Sequence, residues 1–242
     1  MLRRTFIHVS GIGEVTERRL WRSGVTCWED FLQRAERPDQ RLEIEASQRA
    51  YERGHWSFFE QALPAAHKWR AAADCADRVA FVDIETTGGN GPDDLTVLGV
   101  YDGHEVRSFV AGENLEQAQA CLEQFALLVT YNGALFDLPI IRRRFPCYLF
   151  NSIHVDLRYP LHRLGYRGGL KRVEQQAGLA RREDTRGLDG WDAVRLWREW
   201  QSGSGDAREL LLAYNAEDVR NLKPLLELVQ REMLARMTKD LP

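Results

Sequence analysis

The stretch RVAFVDIETTGGNG, residues 78–91, decides the fold. It begins as a buried strand. At the two-residue strand period, Val79, Phe81, Asp83 and Glu85 share one face while Ala80, Val82 and Ile84 share the other. Two carboxylates therefore end one side of an otherwise apolar strand. Like charges held this close disfavour each other's ionised form, so the rest of the chain must supply compensating positive charge or expose them.

Working outward, further apolar runs of strand length lie at 95–101, 105–110 and 127–131, with another in SIHVDL. The turn YDGHE joins the runs at 95–101 and 105–110, which predicts an antiparallel hairpin. Helical patterns at about 114–124 and 135–144 bracket the strand LLVTY. Beyond Gly169 the pattern is helical, with a short linker SGSGD at 202–206 and a long amphipathic stretch from about 206 to 236. The first seventy or so residues carry no alternating pattern and read as helical. Strand, hairpin, helix, strand, helix, strand and helices in that order predict an α/β protein with a mixed sheet flanked by helices, preceded by a small all-helical module. We expect residues 1–75 to form the module and 76–242 the sheet domain.

The chain has 242 residues, 44% hydrophobic and 29% charged, enough for one core and a smaller second unit. No run approaches a membrane helix, and the opening MLRRTFIHVSGIGE has no apolar stretch long enough for a signal peptide, so a cytoplasmic location without membrane association is expected. Cys27, Cys75, Cys121 and Cys147 are far apart, which predicts reduced structural cysteines rather than a zinc site or disulfide framework. A net charge of −3 argues against a generally basic coat. Between Arg142 and Arg186, however, eleven Lys or Arg stand against four acids.

Two more acids extend the pair at the strand end. Asp137 follows a strand in TYNGALFDLPII, and Asp218 lies in LLLAYNAEDVRNLKPLL, four residues after Tyr214 on the same helix face. A strand end, a loop and a late helix thereby converge. Four carboxylates without Cys or His neighbours suit hard cations, Mg2+ or Mn2+ rather than Zn2+. Two such ions about 4 Å apart serve phosphodiester hydrolysis. The simpler readings remain open: Asp83 and Glu85 at a solvated strand end, Asp137 as a helix N-cap, Tyr214 in the core and Asp218 in solvent.

With these motifs in hand, DIETTG resembles the first motif of the DnaQ-like, or DEDD, exonucleases on the ribonuclease H-like fold. YNGALFD resembles their second motif and YNAED their third, in the tyrosine subgroup. GGLKRVEQQAGLAR and GWDAVRLWREW resemble the bacterial YprB-like branch. The resemblance covers about 78–230. It implies a ribonuclease H-like sheet and a 3'-to-5' exonuclease whose Asp83, Glu85, Asp137 and Asp218 hold two Mg2+ or Mn2+ ions. Tyr214 would orient the attacking water. The implied substrate is single-stranded DNA or RNA with a free 3' end, without a small-molecule cofactor, and Thr86, Asn132 and Phe136 would contact it.

The basic segment offers Arg142, Arg143, Arg144, Arg167, Lys171 and Arg172 as phosphate contacts, against a plain solvated surface. HVSGIGEVTERRLWRSGVTCWEDFL looks like half of a helix-hairpin-helix element, with Gly11 and Gly13 shaping a turn that faces a phosphate, or merely a helical packing unit. Asp156 reads either as a supporting carboxylate near the ions or as a helix cap. His154 and His162 read as structural or substrate-contacting, and Glu217 as solvated. An endonuclease, an RNA-directed nuclease and an inactive nucleic-acid-binding protein are the alternatives.

Overall fold

The computed structural model describes residues 1–146 and 151–239, so the expectation for Cys147 lies outside the described residues. The chain starts with helices α1 (Glu14–Arg22), α2 (Trp28–Arg34), α3 (Pro38–Glu52) and α4 (Trp56–Ala62), followed by a 3-10 segment, Ala65–Ala73. Then come β1 (Val79–Thr86), β2 (Leu95–Tyr101), β3 (Val106–Val110), α5 (Ala118–Leu122), β4 (Leu127–Thr130), α6 (Asp137–Arg144) and β5 (Ile153–Asp156). The helices α7 (Arg158–Leu164), α8 (Leu170–Gln176), α9 (Gly190–Gln201) and α10 (Gly205–Thr238) complete the described chain.

Among the described residues the strands form one mixed sheet in the order β3-β2-β1-β4-β5. The predicted hairpin is antiparallel, Tyr101 opposite Val106, whereas β1, β4 and β5 run parallel. The alternation read in β1 holds. Ala80, Val82 and Ile84 pack with Leu122 of α5 and with Leu138 and Ile141 of α6, whereas Phe81 joins the opposite core with Leu222, Leu225 and Val229 of α10. Asp83 and Glu85 continue the Phe81 side, so they meet α10. β4 pairs with β1 only as far as Phe81 opposite Val129, which leaves the last part of β1 open on that edge. Into this gap comes the loop after β4.

The core on the α10 face also takes in Phe6, which precedes α1, and Trp28, Ile44 and Phe59 of the N-terminal helices. A fully buried ion pair pins them: Arg70 Nη1 lies 2.8 Å from Glu17 Oε2, and Glu17 Oε1 accepts from the Phe6 N–H at 2.7 Å. These partners offset much of the cost of removing it from water, although the buried Arg70 Nε has none. No helix among the described residues is long and apolar enough to cross a membrane.

Candidate active site

Parallel strands gather functional groups at their carboxyl ends, and β1, β4 and β5 do so here. β1 delivers Asp83 and Glu85. Across the antiparallel pair, Asp83 faces Gly99 and Glu85 faces Val97. Gly99 has no side chain to hold α10 away: a Cβ there would press into Asn215 Oδ1 and come within 3.2 Å of Val219 Cγ1. Through this close approach Asn215 Nδ2 donates to Asp83 Oδ2 at 3.1 Å and to Glu85 Oε1 at 3.4 Å. One turn later α10 presents Asp218. Carboxylate oxygens of Asp83, Glu85 and Asp218 all lie within 4.8 Å of one another.

The loop after β4 is built around Asp156 at the end of β5. Asp156 Oδ1 accepts from the Asn132 N–H at 2.8 Å and the Arg158 N–H at 3.0 Å, and Oδ2 accepts from the Ala134 N–H at 3.1 Å. Asn132 sits at φ 66°, the left-handed region that Asn tolerates better than most residues. Both earlier readings of Asp156 are thus partly met: it caps the start of α7 and, from behind, holds the loop that carries Asp137. Asp137 is the first residue of α6. Its side chain lies buried and hydrogen-bonds backbone groups of its own residue and of Ile84 in β1. His154 is structural, its Nε2 2.8 Å from Thr130 Oγ1, and burial lowers its pKa to about 3.

A cleft of about 300 Å3 contains Asp83, Glu85, Thr86, Asn132, Phe136, Asp137, Tyr214 and Asp218, so these eight predicted residues come together. Tyr131, Trp191 and Val194 also line it. Lys171 is half-buried and lies outside the cleft lining. It donates to the Tyr214 hydroxyl, and its ammonium lies 4.3 Å from the ring centroid. Arg167 and Arg172 are exposed outside the cleft lining. Arg143 donates to the Asn90 carbonyl and Arg144 pairs with Glu116, so both are engaged within the fold. Gly11 and Gly13 lie apart from the cleft lining. Gly11 takes φ +78° next to Arg37, and Gly13 precedes α1.

Positive charge also reaches the cluster from a side chain. Arg181 bonds Asp218 and grips Glu174 with two further bonds, Nε to Oε2 at 2.6 Å and Nη2 to Oε1 at 2.7 Å. A side chain therefore shares in the compensation of Asp218. Glu217, expected in solvent, is buried. It accepts from the Arg182 N–H at 2.7 Å and from the Thr185 hydroxyl, because the loop after α8 folds over this part of α10.

These cations do not satisfy the cluster. Burial, then the charges of Asp218, Asp137 and Glu85, push Asp83 well above the usual carboxylate range. Burial and Asp218 do the same to Glu85. Burial raises Asp218 although Arg181 and Lys171 favour its charged form, and burial takes Asp137 to about 7. Clustered oxygen donors with unfavourable negative charge, free of Cys and His, fit a divalent cation. Asn215, Glu174 and Arg181 escaped the sequence reading. The available signal for Asn215 was its position three residues before Asp218 on the buried face of α10; Arg181 and Glu174 had none beyond the basic segment.

Comparison with known proteins agrees with this arrangement. Residues 80–230 match the RNase_H_2 family of the RNase_H superfamily. Among solved structures, the family B DNA polymerase from the hyperthermophilic archaeon Pyrobaculum calidifontis is similar, with a TM-score of 0.50 and 20% identity, over 63% of this chain and 24% of the polymerase. At that identity the likeness speaks for the fold alone. This chain thus spans about a quarter of the polymerase's length, and no curated protein matches it. The 3-2-1-4-5 sheet with acids at the end of its central strand, together with a family match over more than half the chain, makes this protein a member of the RNase_H superfamily.

Proposed function

We propose that the protein is a nuclease of the DEDD type, tyrosine subgroup and YprB-like branch, that removes nucleotides 3'-to-5' from single-stranded DNA with two Mg2+ or Mn2+ ions. One observation carries the reading: the oxygens of Asp83, Glu85 and Asp218 converge within 4.8 Å in a cleft that also holds Asp137 and Tyr214. Divalent cations held by the four acids would supply Lewis acidity toward a phosphodiester and lower the pKa of water.

The protein's own groups set the geometry. Asn215 fixes the two β1 carboxylates, and Asp156 fixes the loop that brings Asp137 and Asn132. Burial and the neighbouring Asp218 raise the Tyr214 pKa, so the phenol stays protonated. Its oxygen accepts from Lys171, which leaves its own hydrogen to donate into the cleft and orient a water. Thr86, Asn132 and Phe136 would flank the terminal nucleotide, with Arg167 and Arg172 on the strand that trails it. We keep the division at residues 75 and 76, which assigns the chemistry to 76–242. A cytoplasmic location belongs to the same reading.

The test is cleavage of 5'-labelled single-stranded DNA with Mg2+ or Mn2+, for the wild type, for Asp83→Ala and with a chelator. A ladder that shortens from the 3' end and is abolished by both controls supports the proposal. Cleavage of circular single strands would turn it toward an endonuclease, and cleavage of RNA alone toward an RNA-directed enzyme. Intact DNA and RNA with every metal tried, from folded protein, would leave a binding protein.

A further inference from the structure

The acidic floor of the cleft has apolar lips. Trp191 is 76% exposed, Leu135 70% and Phe136 41%, and Trp191 and Phe136 both line the cleft. Water contact with an indole is unfavourable, so a tryptophan left this open over a site calls for an occupant.

Trp191 is also held in place. Asp189 caps α9, its Oδ1 accepting from the Trp191 N–H at 2.8 Å and the Asp192 N–H at 3.1 Å. Asp192 in turn accepts from the Asp189 N–H at 3.0 Å. The ring leans on the backbone just past β1. A Cβ on Gly88 would sit 3.8 Å from Trp191 Cζ3, and Gly88 takes φ +102°, a conformation that suits a residue without a side chain. The indole is thus fixed on the rim near Asp83 and Glu85, with most of its surface open.

From this geometry we propose that Trp191 is a stacking platform for an unpaired nucleobase next to the phosphate bound over the acids. The inference rests on the nuclease reading and deepens it. The occupant must combine an anionic group, suited to cations on the acidic floor, with a flat apolar ring for the indole. A nucleotide has both. Stacking on an aromatic face tolerates any base but requires it to be free of its partner, so Trp191 selects single strands and frayed ends over duplex ends without reading sequence. Trp191 is a specificity-determining residue, apart from the metal-ligating set.

The test measures binding as well as turnover. A 5'-fluorescein deoxythymidine decamer is titrated in Ca2+ by anisotropy, and the recovered oligonucleotide is checked for length. Wild type, Trp191→Phe and Trp191→Ala are compared, with thermal unfolding as the control for folding. A second decamer carries abasic tetrahydrofuran at its last two positions. Loss of one stacked base corresponds to roughly 5- to 150-fold weaker binding for Trp191→Ala. Trp191→Phe should retain most of the affinity, and on the abasic decamer all three proteins should bind alike. With cleavage in Mg2+, the defect should fall on KM more than on kcat.

Equal binding of the normal decamer by wild type and Trp191→Ala would overturn the platform while the nuclease reading stands. An equal loss on normal and abasic decamers would overturn it too, since Trp191 would then act on the backbone or the fold. A folded wild type that neither binds nor cleaves any nucleic acid would overturn both readings together.

Discussion

Arg181 and Asp218 form a buried ion pair, and the same guanidinium is shared with Glu174 in two further bonds. Asp218 therefore offers the cleft a carboxylate whose orientation is set by a side chain on the loop after α8. The pair lies at the seam between α8, its following loop and α10, with Asn221 Nδ2 donating to Glu174 at 3.0 Å.

Arg181→Gln tests that seam. The substitution removes the positive charge shared by Asp218 and Glu174 and frees Asp218 to turn. Supporting partners of metal ligands typically contribute 10- to 100-fold in affinity, and we expect a loss of about that size for Mn2+ by calorimetric titration. The buried carboxylates left behind should also destabilise the fold by about 3–5 kcal/mol, read as a lower denaturation midpoint. Unchanged Mn2+ affinity would show that Arg181 is structural only.

Gly99→Ala tests the approach of α10 to the sheet. A methyl group would strike the Asn215 amide that bonds both β1 carboxylates. Overpacking of this kind costs about 1–3 kcal/mol, and it should displace Asn215 and weaken Mn2+ binding together. A Gly99→Ala protein with wild-type stability and Mn2+ affinity would refute the proposed close packing.

The acid cluster predicts an unusual pH dependence. Asp83, Glu85, Asp137 and Asp218 all have pKa values raised in the folded state, Asp137 to about 7. The folded protein thus binds protons that the unfolded chain has released. Without divalent ions this contribution to stability is complete below about pH 4, the ordinary carboxylate range, and is lost as the pH rises through 7. Mn2+ should reverse the trend by binding the ionised form, with proton release on binding. Thermal unfolding between pH 4 and 8, in chelator and in Mn2+, measures both slopes; parallel curves would contradict the cluster's electrostatics.

Glu17→Ala tests the attachment of the N-terminal helices. Arg70 would remain buried without its charge partner, and the Phe6 N–H would lose its acceptor. A destabilisation of about 3–5 kcal/mol is expected in chemical denaturation. Metal affinity should be nearly unchanged, because the pair lies outside the residues that line the cleft.

The sequence by itself determined the order and type of the elements and the faces of β1. Period-two alternation in 79–85 is a local property, and it placed Asp83 and Glu85 opposite Ala80, Val82 and Ile84 without knowledge of what packs there. The spacing of Tyr214 and Asp218 likewise follows from helix geometry alone. Only the tertiary structure decided which distant groups meet those acids. That Asn215 bonds Asp83 depends on Gly99 in another strand, and that Arg181 bonds Asp218 depends on how the loop after α8 crosses α10. Glu217 was misread for the same reason: its angle on α10 is fixed by sequence, but the loop that buries it is placed by contacts 32 to 35 residues away. Periodicity records which side of an element faces a core; the partner across that core is set by long-range packing.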